Sequence, residues 1–222
     1  MSQAGAPEKV SIGISRRYRL FRRVVVALGE LFLGLKVYGE ERVPEGGALI
    51  IVSNHRQYLD PVYVSMAVPR RVQWMGKRQL FVFPFKRFFY LIGCFPVDRE
   101  GGGRAALKAA LRYLDLGAAL GIFPEGTRRQ SGYDSRESPK SGMVMLASRS
   151  GAKTLPVHVG KVPGPIERLR GARLEIYIGE PRTIEPATNS GRSYAEAADA
   201  LLRDIYALPD EHDAGHGEKR AG

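Results

Sequence analysis

One short, unbroken apolar run constrains the fold of this chain more than any other segment. Residues 48–52 read Ala-Leu-Ile-Ile-Val, a pattern typical of a strand buried on both faces of a sheet. Similar runs alternate with stretches of helical spacing, which predicts an α/β fold with a mainly parallel central sheet flanked by helices. The predicted strands lie near 36–38, 48–53, 71–75, 95–97, 119–123, 154–160 and 173–179, and the predicted helices near 60–67, 84–92, 103–116, 140–150 and 193–207.

Composition limits the kinds of protein that this chain can be. Its 222 residues, 44% of them hydrophobic, suffice for one sizeable core. The lone cysteine, Cys94, excludes an internal disulfide and any metal site built from cysteines, and it indicates a reducing compartment. The formal net charge of +11 predicts an anionic partner, which can be nucleic acid, a membrane surface or a phosphorylated substrate.

A histidine and an aspartate follow the predicted strand at 48–53. His55 and Asp60 stand five residues apart, at the carboxyl end of that strand, where open α/β sheets bind ligands. A histidine can accept a proton near neutral pH, and a carboxylate on its second ring nitrogen would fix its tautomer. The pair therefore predicts a base that activates a hydroxyl group. Taken alone, Asp60 before Pro61 also fits a plain helix cap, and His55 fits a solvated loop residue.

The amino-terminal segment combines arginines with apolar residues at helical spacing. Residues 1–40 carry seven basic and three acidic side chains. The apolar stretch 24–35 is too short for the roughly 20 residues that span a bilayer, and Glu30 lies inside it. We predict a helix lying in the membrane interface, and an amphipathic helix packed on the core is the alternative. The predicted membrane contacts are Arg16, Arg17, Arg19, Phe21, Arg22, Arg23, Val25, Leu28 and Phe32.

A second basic segment alternates positive charge with aromatic side chains. Residues 70–100 hold seven basic and two acidic side chains. Aromatic residues beside cations could stack on nucleic-acid bases. Phenylalanine dominates this segment, however, and the sequence has no complete signature of an RNA-binding fold. A membrane contact or an acyl-chain groove therefore fits the segment better. Further along, the proline-bearing stretch 161–173 predicts a basic loop.

Two turns after predicted strands carry groups that suit an anion. Three glycines at 101–103 precede a helical stretch, where backbone N–H groups can meet a phosphate. The segment 124–129 places Glu125, Thr127 and Arg128 within four residues. A carboxylate can bind hydroxyl groups and a guanidinium can bind phosphate oxygens, so this set suits a polyol phosphate.

Four sequence blocks in a fixed order resemble the glycerolipid acyltransferases. The first block is that family's HxxxxD motif, here His55 to Asp60. The others, together with a Lys-x-Gly element, follow in the family's order at Phe95-Pro96-Val97-Asp98-Arg99, Phe123-Pro124-Glu125-Gly126-Thr127-Arg128, Lys140-Ser141-Gly142 and Leu155-Pro156-Val157. One HxxxxD motif is a weak signal, whereas the ordered set is highly specific.

The resemblance implies an activity and residue roles. The fold would be glycerol-3-phosphate acyltransferase-like, preceded by a membrane-associating helix. The activity would be transfer of a fatty acyl group from acyl-CoA or acyl-carrier protein to the free hydroxyl of lysophosphatidic acid, giving phosphatidic acid. His55 would be the general base, oriented by Asp60, and the hydroxyl would attack the thioester directly. The substrate-binding residues implied by the matching positions are Asn54, Arg99, Glu125, Gly126, Thr127, Arg128, Lys140 and Gly142.

These readings divide the chain into three parts. We expect a membrane-associating segment at 1–36, an α/β acyltransferase domain at 37–208 and a disordered tail at 209–222. We expect a peripheral or monotopic protein at the cytoplasmic face of a membrane. The membrane surface that it contacts is expected to be anionic. We expect no nucleic-acid partner. No cofactor is expected, because the acyl thioester is a co-substrate, and no metal, because clustered ligands are lacking.

Several points stay open at this stage. The acceptor can be another lysolipid or a lipid-linked amine or sugar. A function of another class, a non-catalytic module that docks on anionic membranes or nucleic acid, would leave His55 dispensable. Cys94 has apolar flanks that would raise its thiol pKa, which argues against covalent catalysis, and His158 is expected to be structural. A backbone N–H near the HxxxxD motif is the expected oxyanion donor.

Overall fold

The computed structural model describes residues 13–97, 103–126, 142–184 and 191–218, and within these ranges seven strands form one sheet. The strands are β1 Lys36–Tyr38, β2 Leu49–Ser53, β3 Val72–Lys77, β4 Cys94–Val97, β5 Ala119–Ile122, β6 Lys153–Val159 and β7 Glu175–Ile178. The helices are α1 Arg16–Leu28, α2 Asp60–Ala67, α3 Lys86–Leu91, α4 Arg104–Asp115, α5 Gly142–Ser150, α6 Pro165–Leu169 and α7 Gly191–Glu218.

The strands follow the order β1-β7-β6-β2-β5-β3-β4. Only β6 and β7 run antiparallel, and every other neighbouring pair is parallel. The predicted mainly parallel sheet is therefore confirmed. Because β2, β3, β5 and β6 are parallel, their carboxyl ends meet at one edge of the sheet. We call this edge, which includes the turn after β2, the carboxyl edge.

Both faces of the sheet are covered, which explains the unbroken apolar run in β2. All five residues of β2 are buried. Leu49 and Ile51 face a core that includes α2 and receives side chains from α1. Ile50 and Val52 face a second core built with α4, α5 and α7. A strand buried on both sides has no polar face, so its sequence shows no alternation.

Helix α1 packs on the domain, as in the alternative of an amphipathic helix packed on the core. Phe21 and Val25 pack against the core shared with α2. The guanidinium of Arg22 donates to the backbone oxygens of Met66 at 2.8 Å and Val68 at 3.2 Å, at the carboxyl end of α2, where a cation is favourable. Phe21, Arg22 and Val25 are therefore partly buried contacts with the domain, and their contact with a membrane stays a prediction.

Other residues of the amino-terminal segment do face outward. Arg16, Arg17, Arg19 and Arg23 are exposed, as are Leu28 and Phe32. A π-helical turn, Gly29–Leu33, extends α1 towards β1. No helix in the described part of the chain is both long enough and apolar enough to cross a bilayer.

Helix α7 corrects the prediction of a disordered tail from residue 209. The helix continues through Pro209 and ends at Glu218. Leu208 is buried against the domain, and the His212 ring lies 4.1 Å from the Tyr38 ring. These contacts hold the helix beyond the proline. The predicted basic loop at 161–173 likewise contains a short helix, α6, with Pro165 at its first position.

Candidate active site

The turn between β2 and α2 brings His55 and Asp60 together. His55 Nδ1 lies 2.8 Å from Asp60 Oδ2, and the Asp60 carboxylate is 2% exposed. The same oxygen accepts hydrogen bonds from the backbone N–H groups of Arg56 at 2.6 Å and Gln57 at 2.7 Å. Asp60 is the first residue of α2, yet its side chain turns back towards the preceding loop. A plain helix cap does not explain this arrangement.

The contact fixes which ring nitrogen of His55 can act as a base. A carboxylate only accepts hydrogen bonds, so His55 Nδ1 carries the proton and Nε2 keeps its lone pair. The His55 side chain is 19% exposed, so a substrate can reach the ring. Its face stacks on the Phe123 ring at 4.1 Å, and Phe123 stacks in turn on Trp74 at 5.0 Å. Packing therefore holds the ring, while the carboxylate orients it.

The stack depends on a glycine in the neighbouring strand. A Cβ on Gly121 would lie 2.3 Å from the Trp74 ring, whose indole Nε1–H donates a hydrogen bond to the Ser65 hydroxyl. We expect Gly121→Ala to lower the free energy of unfolding by about 1–3 kcal/mol through overpacking. Displacement of Trp74 would also disturb Phe123 and slow the acyl transfer that the sequence resemblance implies. Urea unfolding and the transfer rate measure the two effects.

Gly46→Ala is the matched control for that substitution. A Cβ on Gly46 meets nothing within 4 Å, so this variant should unfold and turn over like the wild-type protein. A Gly121→Ala protein as stable and as active as Gly46→Ala would show that the ring stack is less tightly packed than the structure indicates.

Glu125 occupies the turn after β5 and contacts the His55 loop directly. Its Oε2 accepts a hydrogen bond from the His55 backbone N–H at 3.3 Å, and its Oε1 accepts one from the Tyr206 hydroxyl at 2.9 Å. The residue is 4% exposed. Gly126 follows with a φ of +68°, a left-handed conformation that favours glycine and turns the chain sharply here. The structure thus places Glu125 at the site, with its carboxylate engaged by the protein.

Asn54 does not reach the substrate as predicted. It is fully buried directly after β2, and its side chain forms hydrogen bonds with the backbone of β6. Its Nδ2 donates to the Val159 backbone oxygen at 2.9 Å, and its Oδ1 accepts from the Val159 N–H at 2.8 Å. This paired contact joins the ends of the two strands beside His55. Asn54 is therefore a structural residue, whose buried amide is engaged by β6.

The remaining predicted anion-binding residues lie mostly outside the described ranges. Gly142 is the first residue of α5. Arg99, Thr127, Arg128 and Lys140 fall outside the described residues.

Three backbone N–H groups of the HxxxxD motif are already engaged, and the expected oxyanion donor near the motif stays a prediction. The backbone N–H groups of His55, Arg56 and Gln57 all donate to carboxylates. These three groups hold the catalytic loop in shape and are committed before any substrate binds.

Cys94 and His158, whose side chains could also act as a nucleophile or a base, are buried in the core. Burial raises the pKa of the Cys94 thiol to about 12, which makes it a poor nucleophile. Burial lowers the pKa of His158 to about 4, and its Nδ1 donates to the Ile205 backbone oxygen at 3.1 Å. The described residues contain no group of three or more His, Cys, Asp or Glu side chains that could hold a metal ion.

Comparisons with known proteins agree with this geometry. The family model described as "Acyltransferase" matches residues 34–160, more than half of the chain. The chain belongs to this acyltransferase family. Among its relatives, the 1-acyl-sn-glycerol-3-phosphate acyltransferase of Bacillus subtilis is 30% identical over 151 residues, which cover 67% of this chain and 73% of that protein. The enzyme of the same name from Streptococcus pneumoniae is 25% identical over 206 residues, covering 89% and 74%.

A solved structure supports the fold of this acyltransferase. The crystal structure of the 1-acyl-sn-glycerophosphate acyltransferase PlsC from Thermotoga maritima matches with a TM-score of 0.63 and 23% identity. The match covers 88% of this chain and 84% of that one. The mostly parallel sheet with helices on both faces is thus shared with a solved acyltransferase.

One residue of the site was missed by sequence reasoning. Tyr206 reaches Glu125 across 81 positions of sequence, from the last helix. A tyrosine inside a helix with buried Leu202 and Ile205 shows only a core-facing pattern, so no local signal marks it.

Proposed function

We propose that this enzyme transfers a fatty acyl group from acyl-CoA or acyl-carrier protein to the free hydroxyl of lysophosphatidic acid, producing phosphatidic acid. The observation that carries the proposal is the 2.8 Å contact between His55 Nδ1 and the buried Asp60 carboxylate. The names of the relatives support the acceptor, because several are 1-acyl-sn-glycerol-3-phosphate acyltransferases.

In the proposed reaction, His55 Nε2 takes the proton of the acceptor hydroxyl as that oxygen attacks the thioester carbonyl carbon. The tetrahedral intermediate collapses, the carbon–sulfur bond breaks, and the proton passes from His55 to the departing sulfur. Asp60 stabilises the imidazolium that exists between these two transfers. Base, nucleophile and leaving group are all supplied by His55 and the two substrates, so the proposed chemistry needs no further cofactor.

The proposed acceptor pocket lies on the turns after β4 and β5. The family resemblance assigns the acceptor's glycerol phosphate to Arg99, Glu125, Gly126, Thr127 and Arg128, with the Glu125 carboxylate beside the glycerol, and it adds Lys140 and Gly142 as further substrate-binding positions. Guanidinium and ammonium groups suit phosphate oxygens. Because the backbone N–H groups of His55, Arg56 and Gln57 donate to carboxylates, the proposed donor for the developing oxyanion is another group near the motif.

Product identification tests this function. Purified protein is incubated with lysophosphatidic acid and, separately, with lysophosphatidylcholine and glycerol 3-phosphate, each with acyl-CoA and with acyl-carrier protein. We expect phosphatidic acid, identified by mass, from lysophosphatidic acid with at least one donor. Acylation of another acceptor only, with no phosphatidic acid from either donor, would overturn the proposed substrate.

We further propose that the enzyme works on an anionic membrane, at its cytoplasmic face, with the carboxyl edge of the sheet turned towards the lipid. Five of the most exposed apolar side chains support this orientation. Leu31 and Phe32 precede β1, Phe83 follows β3, and Ile166 and Leu169 belong to α6; their exposed fractions are 67%, 64%, 94%, 66% and 89%.

Topology puts these side chains at the same edge as His55. Strands β3 and β6 are parallel to β2, so segments that follow them emerge beside its carboxyl end. Strand β1 runs parallel to β7, which is antiparallel to β6, so the turn that precedes β1 lies at this edge as well. Four exposed cations flank Phe83, and residues 72–97 contain no acidic side chain; the cations are Lys77, Arg78, Lys86 and Arg87. Apolar groups among cations suit an anionic bilayer.

Removing two of these aromatic groups should weaken membrane binding. We expect Phe83→Ala with Phe85→Ala to lower partition onto vesicles containing 30% phosphatidylglycerol by about tenfold, because each ring loses apolar burial in the lipid. Leu116→Ala is the control, since Leu116 is 49% exposed in the turn before β5, at the opposite edge. Co-sedimentation measures the partition. An unchanged double variant, or an equal loss for Leu116→Ala, would contradict the orientation.

A further inference from the structure

The Glu125 carboxylate is held from two sides by different parts of the fold. One oxygen accepts the His55 backbone N–H, and the other accepts the Tyr206 hydroxyl at 2.9 Å. With only 4% exposure, Glu125 has lost nearly all of its hydration, so protein donors must replace the water it gave up. The phenol is one such donor. Through this carboxylate, α7 is connected to the loop that carries the catalytic base.

Tyr206 is itself fixed in place by packing. Its ring meets the His158 ring edge-on at 5.5 Å, and the preceding residue, Ile205, accepts the His158 hydrogen bond through its backbone oxygen. Ile205 is fully buried. The backbone at Tyr206 is therefore anchored to β6 independently of the hydroxyl. Tyr206 also lies outside the matched range 34–160, so the family match assigns it no role.

We propose that Tyr206 is a positioning residue of this acyltransferase: its hydroxyl holds Glu125 against the His55 loop in the orientation that the acceptor requires. The inference rests on the proposed function, in which Glu125 lies beside the acceptor's glycerol. In this proposal Tyr206 acts on the acceptor through the Glu125 carboxylate.

The physical argument depends on what a freed carboxylate would do. Without the phenol, Glu125 Oε1 loses a charge-assisted hydrogen bond in a site with little water, and the carboxylate is held less firmly in its present orientation. A less firmly held carboxylate weakens the contact between Oε2 and the His55 N–H and changes the surface presented to the acceptor. His55 and Asp60 keep their mutual contact, since neither Tyr206 nor Glu125 takes part in it.

Tyr206→Phe tests the inference, because it removes the hydroxyl and keeps the ring contact with His158. We expect the KM for lysophosphatidic acid to rise about tenfold, while kcat falls less than threefold and the KM for the acyl donor is unchanged. A tenfold change corresponds to about 1.4 kcal/mol, within the range of a hydrogen bond to a charged group. A purely structural role would lower the amount of folded enzyme and would not separate the two KM values.

A double-mutant cycle with Glu125→Gln identifies the route of action. If Tyr206 works through the carboxylate, adding Tyr206→Phe to Glu125→Gln changes acceptor binding less than twofold. Calorimetric binding of short-chain lysophosphatidic acid gives the same cycle without turnover. Independent, additive effects of the two substitutions, or a Tyr206→Phe protein with wild-type KM values, would overturn the inference. An acceptor affinity that Glu125→Gln leaves unchanged would instead contradict the proposed function.

Tyr177→Phe is the matched control. Its hydroxyl also donates to a glutamate, Glu175 Oε2 at 3.0 Å, on the short strand β7 between β1 and β6. This variant loses the same kind of bond away from His55 and should keep both KM values. A tenfold rise in the acceptor KM for this variant as well would contradict a specific role for Tyr206.

Discussion

Replacing His55 with alanine is expected to lower the rate of acyl transfer by about a thousandfold, the middle of the range that a positioned general base contributes. The hydroxyl of the acceptor is a weak nucleophile while it keeps its proton, and His55 Nε2 is the base that the loop presents. Folding should persist, because His55 is a loop residue whose ring is partly exposed. Initial rates with saturating donor measure the loss, and far-UV circular dichroism measures folding.

His212→Ala provides a matched histidine control. His212 packs on Tyr38 beside β1 and should be replaceable without loss of transfer. Membrane partition should also survive in His55→Ala. If that variant keeps a tenth or more of the wild-type rate, His55 is not the base, and a non-catalytic docking role for the loop becomes the better account.

Asp60→Asn should lower kcat by about a hundredfold, less than removal of the base itself. Three donors converge on Asp60 Oδ2, from His55, Arg56 and Gln57. Two of them are fixed backbone N–H groups, so the asparagine oxygen must occupy the same position, and the ring keeps its orientation. What the variant loses is the negative charge that stabilises the imidazolium. The effect should therefore appear in kcat, with little change in the acceptor KM.

Asp60→Asn should also lower the stability of the fold. A neutral oxygen accepts these hydrogen bonds less strongly than a carboxylate, so the free energy of unfolding should fall by about 1–3 kcal/mol. The free energy of unfolding should fall further in Asp60→Ala, because this variant leaves three donors without their acceptor. Urea unfolding separates the two variants. A kcat above half the wild-type value in Asp60→Asn would exclude electrostatic stabilisation by this carboxylate.

The strands of this enzyme could be predicted from sequence because burial leaves a local mark. The apolar run at 48–52 becomes β2, whose residues have no solvent-facing side. The antiparallel direction of β7 could not be predicted in this way. Glu175–Ile178 has only four residues, and a short strand has the same pattern in either direction. Strand order is likewise set by long-range pairing and not by local spacing.

Predictions at the two ends of the chain depend on packing that the sequence does not show. Periodicity identifies the apolar face of α1 but does not distinguish a face that meets lipid from one that meets the core, and in the structure Phe21 and Val25 pack against the core that includes α2. At the other end, Pro209 and the charged residues after it predicted disorder, whereas contacts with β1 carry the helix onward. In both cases tertiary packing decided the outcome.

The site was predictable where chemistry resides in adjacent residues. His55 and Asp60 lie in one turn, so their contact follows from five positions of sequence. Asn54, next to them, was misassigned, because an amide beside a catalytic residue has the same sequence pattern whether it binds a substrate or clasps a strand. Tyr206 could not be found, since only the fold brings α7 to the turn after β5.

The most direct test of the central claim is the tautomer of His55, observed by ¹⁵N NMR of protein labelled at histidine. The chain has four histidines, so the His55 signals can be assigned by their loss in His55→Ala. At a pH where the ring is neutral, the account predicts a proton on Nδ1, held by Asp60, and an unprotonated Nε2. A neutral ring protonated on Nε2 instead would contradict the assignment of His55 as the base for acyl transfer.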